Sequence, residues 1–221
     1  MKLKKLITGF IVFISIMCMS FTALAASNNN VGDDLQVWDQ DALEELVRNI
    51  DQIKKDNAGL SEDEIINLIE KSRKATSKSI IDIWNSLTES EKKLVIRYPF
   101  AALDVNTAKN IATTQTERMF GYNGLGDRSD AFRHGIWNAE MTILIGKEKA
   151  ELFATAHEDK DVTGNESDGY PKAAHKEMDL HNNIVGRDIG ESNNTLSQDQ
   201  MAQYIFDNIN SQNTNFIWLH E

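Results

Sequence analysis

From Gln36 to Lys55 the apolar residues Val37, Trp38, Leu43, Leu46, Val47, Ile50 and Ile53 return at steps of three and four. That spacing lines one face of a helix. No stretch of the chain sustains two-residue alternation bounded by turns, so the signature of a half-buried strand is missing, and no unit of 20–50 residues repeats. Only two prolines interrupt 221 residues, against a design of many short segments. The fold class these features predict is all-α: a compact multi-helix domain with a preceding N-terminal helical segment.

Local signals divide the helices. Asn57-Ala58-Gly59 ends the first, and Ser61-Glu62-Asp63-Glu64 and Thr88-Glu89-Ser90-Glu91 each have the form of a capping box, in which a hydroxyl and a glutamate satisfy opposing backbone N–H groups. The chain reads as helical again from Ile80 to Leu87. Pro99 breaks the pattern before an Ala- and Thr-rich helix from Ala101 to Phe120. A glycine-rich loop, Gly121–Asp127, leads to Ser129 as the expected N-cap of a helix from Asp130 to Ile145, stopped at Gly146. Helices are then expected over Lys147–Glu158, Lys172–Gly186 and from Ser197 or Gln198 to Ile209, with a polar loop from Asp159 to Pro171. In domain terms the chain divides into residues 1–25, 26–35, 36–87 and 88–221: a leader, a flexible start, an N-terminal helical segment and a helical domain.

The leader rests on Lys2, Lys4 and Lys5 ahead of an apolar run from Leu6 to Met19 and the small-residue exit Ala23-Leu24-Ala25. This is the form of a secretory signal peptide, too short for a retained spanning helix, and cleavage after Ala25 is expected. Met17 is too bulky for the position before a lipidated cysteine, so Cys18 leaves with the leader. Loss of three lysines takes the formal charge from −11 to −14, that is −11 less 3. A surface of that sign disfavours nucleic acid and anionic lipid. The expectation is therefore a secreted, extracellular protein with no nucleic-acid partner and no stable membrane anchor once the signal is cleaved. Its partners would be an extracellular or envelope substrate or protein. With the only cysteine gone, a metal would have to sit on His, Asp, Glu or Asn.

His134, His157, His175 and His181 fall within 48 residues, interleaved with acids. Asp130, His134 and Asn138 are four apart and share a helix face, with Arg133 beside them, and a carboxylate one turn from an imidazole can fix its tautomer or share a metal. His157-Glu158, with Asp161 four residues after the histidine, is a partial likeness of the HExxH metallohydrolase signature, in which the glutamate is the general base. His175, Asp179, Asn182, Asn183 and Arg187 form a third group on one helix. Two adjacent asparagines have poor helix propensity, which points to a hydrogen-bonding or ligating task. Asp159, Asp161, Asn165, Glu166 and Asp168 crowd one loop and make calcium a second candidate ion after zinc. As a calcium loop the segment is incomplete, because Tyr170 stands where the bidentate glutamate belongs.

Taken together, Asp130-Ala131-Phe132-Arg133-His134, His157-Glu158 and Met178-Asp179-Leu180-His181-Asn182-Asn183-Ile184-Val185-Gly186 resemble the motif set of an uncharacterised bacterial domain family found in secreted and toxin-like proteins. The likeness runs over roughly Trp84 to Gly190. It implies a helical domain in which Asp130, Arg133, His134, His157, Glu158, Asp179, Asn182 and Asn183 form a site, with no implied substrate. A looser likeness, of ligand type only, is to the all-α zinc phospholipase C and single-strand nuclease group. The N-terminal tryptophan ligand of those enzymes has no counterpart at Ala26.

Two functions fit these residues. In a secreted metal-dependent hydrolase, His134, His157 and Asp179 would hold a divalent ion, Glu158 would activate its water, and Arg133 or Asn183 would stabilise developing charge. Asp130, Asn182, His175 and Asp161 are further candidates for that site. In a non-enzymatic extracellular binding module the same cluster would be a structural polar network. A metal-free acid–base enzyme built on His134 and Asp130 is a third form.

Overall fold

The computed structural model describes residues 35–72 and 76–221. The leader, and all of the flexible start except Leu35, lie outside them. The described residues form nine helices and no strand: α1 (Gln40–Asp56), α2 (Glu62–Ser72), α3 (Lys78–Ser86), α4 (Glu89–Arg97), α5 (Pro99–Phe120), α6 (Arg128–Ile145), α7 (Lys147–His157), α8 (Lys172–Ser192) and α9 (Gln198–Ile209). The all-α expectation holds. None of these helices is long and apolar enough to cross a membrane.

Several boundaries moved for identifiable reasons. Helix α1 begins at Gln40 because the Asp39 carboxylate accepts from the Ala42 N–H at 2.9 Å. Pro99 opens α5 instead of merely ending what precedes it, since its fixed φ and missing N–H suit the first turn. The N-cap of α6 is Asp127, whose Oδ1 takes the N–H groups of Ser129 (2.9 Å) and Asp130 (3.1 Å). Ser129, the expected cap, gives its own hydroxyl to that same oxygen at 2.7 Å. Helix α8 runs on past Gly186 to Ser192.

That extension follows from packing. Helices α6 and α8 make the most extensive contact in the fold. A Cβ on Gly186 would lie 2.3 Å from the Gly135 carbonyl oxygen, and one on Gly190 would lie 2.5 Å from that of Ala139. Gly186 is thus a point of backbone contact and not a terminator. Around this pair, α5, α7 and α9 complete the shell of α6, which is buried from Ser129 to Thr142. The apolar core is continuous from Leu35 through Leu43, Trp84 and Trp137 to Phe216, so residues 36–87 and 88–221 share it.

Candidate functional site

The α6–α8 seam carries the polar groups. Asp130, His134 and Asn138 project from α6, and Asp179, Asn183 and Arg187 from α8; all six are buried. Arg187 fixes the chemistry of the set. A guanidinium only donates, so the Asn138 oxygen it reaches at 2.9 Å is an acceptor. The Asn138 amide nitrogen then donates to Asn183 Oδ1 at 2.5 Å. Asn183 Oδ1 also lies 3.1 Å from His134 Nδ1, which must therefore carry the proton. With Nδ1 turned to Asn183, Nε2 is the ring atom turned toward the two aspartates. Nε2 faces Asp130 Oδ1 at 3.6 Å and Asp179 Oδ1 at 3.5 Å.

Among the described residues, Asp130, His134 and Asp179 are the His, Cys, Asp or Glu group whose ligand atoms all fall within 4.8 Å of one another, and all three are buried. An ion about 2.1 Å from each of several tetrahedral donors separates those donors by about 3.4 Å. The two measured edges match that spacing. One nitrogen and two carboxylate oxygens so placed could hold a metal ion.

The surrounding residues orient these three. Arg133 Nη2 donates to Asp130 Oδ1 at 2.7 Å and its Nη1 to the Gly124 carbonyl at 2.9 Å. The Gly126 N–H takes the other oxygen of Asp130 at 2.6 Å. Gly126 has φ +72°, and a Cβ there would lie 2.7 Å from the Asp168 carboxylate, so the loop needs glycine on both counts. Glu158 stands on the Nδ1 side of the ring, 3.9 Å from that atom, and accepts from Asn183 Nδ2 at 3.5 Å. Asn182 faces away, its amide paired in both directions with the Ile217 backbone at 2.8 and 3.0 Å.

Besides Asn182, four sequence candidates go elsewhere. His157 is buried against Glu91, Nδ1 to Oε1 at 2.9 Å, with Lys160 Nζ 3.0 Å from Nε2. Burial, then the charges of Lys109 and Lys160, hold it below its ordinary pKa. A neutral imidazole that donates from Nδ1 and accepts at Nε2 fits both contacts. Helix α7 ends at His157, so Asp161 is not on its face; it closes an exposed turn with Thr163. His175 pairs with Asp168 at 3.0 Å, and Asp168 also takes His220 at 3.2 Å. Asp159, counted above among the calcium candidates, accepts from Ser90 at 2.5 Å.

The His157 node contains residues without a motif. Lys109 is 1 % exposed, 4.0 Å from Glu91, and sits over the rings of Trp38 (4.3 Å) and Trp137 (5.5 Å). Burial alone would raise Glu91, but the His157 contact, Lys109 and the Thr88 N–H outweigh it and bring the carboxyl down to about 2. Glu91 was legible as the capping-box glutamate, and it is: Oε2 caps the Thr88 N–H at 2.9 Å while Oε1 serves His157. Lys109 offered no signal: it is one of two cations in an Ala- and Thr-rich helix and belongs to no motif.

No curated protein and no solved structure matches the chain. The model of the family described as Domain of unknown function (DUF6973) matches residues 92–213, more than half of the sequence and most of the helices that build the seam. Asp130, His134 and Asp179 all lie within the matched residues, and the chain belongs to that family, a domain of unknown function.

Proposed function

We propose that this protein is a divalent-metal-binding domain that uses its ion for hydrolysis, with Asp130, His134 and Asp179 as the ligands. The observation that carries the reading is the convergence of an imidazole lone pair and two carboxylates, all buried, at metal-ligand spacing. Nitrogen among the donors favours zinc over calcium, which takes six to eight oxygens. Three protein ligands leave coordination positions for water or substrate, and a bound ion supplies Lewis-acid activation of that water. Asn183 holds the His134 tautomer, Arg133 and Gly126 hold Asp130, and Glu158 polarises the Asn183 amide from the far side of the ring. His157 belongs to the packing of α4, α5 and α7, so Asp130 takes the ligand position that sequence reasoning had assigned to it. The substrate class is an ester, phosphodiester or amide, and the leader motif supports an envelope or extracellular setting.

A second reading is favoured by burial. The side chains of His134, Asp130 and Asp179 are 0 %, 1 % and 6 % exposed, which suits an ion or polar network that holds helices together in a non-enzymatic module. Elemental analysis of the purified protein with His134→Ala beside it tests the metal: bound zinc in the wild type and its loss in the variant are expected. Zinc-free wild type that is indifferent to added zinc overturns the metal reading. Hydrolysis of model phosphodiesters and esters that stops with a chelator favours the enzyme, whereas chelator-dependent melting without turnover favours the module.

A further inference from the structure

The segment 214–221 lies beyond the residues the family model matches, yet it reaches the metal seam at two points. Its first contact is with α8: the Ile217 backbone pairs with the Asn182 amide, next to the asparagine that holds His134. Its second is with the loop before α6. The Leu219 N–H donates to the Gly126 carbonyl at 2.7 Å, and the His220 N–H reaches the same oxygen at 3.3 Å. The His220 ring adds Nε2 contacts to the Leu125 carbonyl at 3.0 Å and to Asp168 at 3.2 Å. Between these contacts Phe216 is seated so closely against α6 that a Cβ on Gly135 would lie 2.5 Å from its ring.

Gly126 connects the segment to the ligand. Its carbonyl is held by the strap, and its N–H holds Asp130 Oδ2 at 2.6 Å. With Oδ2 fixed on one side and Arg133 on Oδ1, the carboxylate has one orientation toward His134. We infer that residues 214–221 act as a strap that sets the metal affinity of the site, by positioning Asp130 through the two ends of Gly126. This inference rests on the metal reading above. Groups that fix the orientation of a ligand typically control affinity by a factor of about 10 to 100, and here that control comes from a segment outside the matched domain.

The test is a pair of variants at one position. Leu219→Pro removes the N–H that reaches Gly126, and Leu219→Ala keeps it while trimming the side chain. Zinc affinity is measured by competition with a chromophoric chelator, the geometry of the site by the visible spectrum of cobalt(II), and the fold by far-ultraviolet circular dichroism. Leu219→Pro is expected to weaken zinc by about 10- to 100-fold and to alter the cobalt bands with helicity kept; Leu219→Ala is expected to match the wild type. If Leu219→Pro does not fold, His220→Ala serves instead, since it deletes the ring contacts and leaves the backbone; severalfold weaker zinc is then expected. Wild-type affinity and wild-type cobalt bands in the folded variant overturn the strap alone. A wild-type protein that binds neither zinc nor cobalt overturns the metal reading and the strap with it.

Discussion

Two buried histidines, His134 and His157, sit on neighbouring helices in surroundings that use the same residue types. Around His157 the single carboxylate, Glu91, has Lys109 4.0 Å away, and Lys160 contacts the other ring nitrogen. The two buried charges, Glu91 and Lys109, balance there, Lys160 reaches in from the surface, and both ring nitrogens have partners. Around His134 two carboxylates face Nε2, a third stands behind the ring, and Arg133 is engaged with Asp130. The first arrangement is complete as protein alone. The second gathers carboxylates around one imidazole, a set that could hold a metal ion. Charge balance around a buried imidazole, more than the presence of His beside Glu, separates a packing node from a ligand set.

Breaking the balanced node should give the largest effect. Lys109→Met removes the cation of a buried pair and leaves Glu91 only its hydrogen bonds, with an expected loss of about 3 to 5 kcal/mol in denaturant unfolding. Metal affinity of the protein that remains folded should be unchanged, and a loss there would merge the two regions into one. Acid separates them next. His157 is held below its ordinary 6.5, so the unfolded chain takes that proton first and stability is lost as pH falls below about 6.5. Glu91 is held at about 2 against an ordinary 4.5, so its contribution is present above 4.5 and is lost between there and about 2. At about 1.4 kcal/mol per pKa unit the Glu91 part is on the order of 3 kcal/mol. Thermal melts from pH 8 to pH 2 should show both steps, and His157→Gln should remove the first.

Zinc should act only on the acceptor-rich region. At 100 times its dissociation constant it should stabilise the wild type by about 2.7 kcal/mol, read as a shift in melting temperature, and His134→Ala should not respond. Asn183→Ala frees the His134 tautomer and should weaken zinc by about 10- to 100-fold in competition titrations. Equal affinity would mean that the ring is oriented by something other than the Arg187–Asn138–Asn183 relay. Asp161→Asn comes last: its exposed turn with Thr163 contacts neither region, and neither zinc affinity nor melting temperature should move.

Much of the fold could be read along the chain because its signals are local. The three- and four-residue spacing of α1, the capping box at Thr88 and the stop at Gly146 each act within a few residues. Where a side chain or a neighbouring helix decided, the boundary shifted, as with Asp127 in place of Ser129 and α8 passing through Gly186. In the site, the four-residue spacing already put Asp130, His134 and Asn138 together, and Asp179 with Asn183 and Arg187. The partner of His157 could not be read: Glu91 lies 66 residues earlier, and nothing in a capping box announces a second bond from the same carboxylate. The strap was equally hidden, because its key groups are the backbone of Leu219 and Gly126.

The seam between α6 and α8 also determines when the site can exist. His134 and Asn183 are 49 residues apart, and Gly186 meets Gly135 only when the two helices touch backbone to backbone. Closing a loop of that length is entropically costly before any contact rewards it, and contacts of high sequence separation slow folding. Asp130 and His134 alone, on one helical turn, would offer an ion two donors early, whereas Asp179 arrives only with α8. An ion captured by this set should therefore slow unfolding far more than it speeds folding, and the half-life of the folded chain would depend on how long the ion stays.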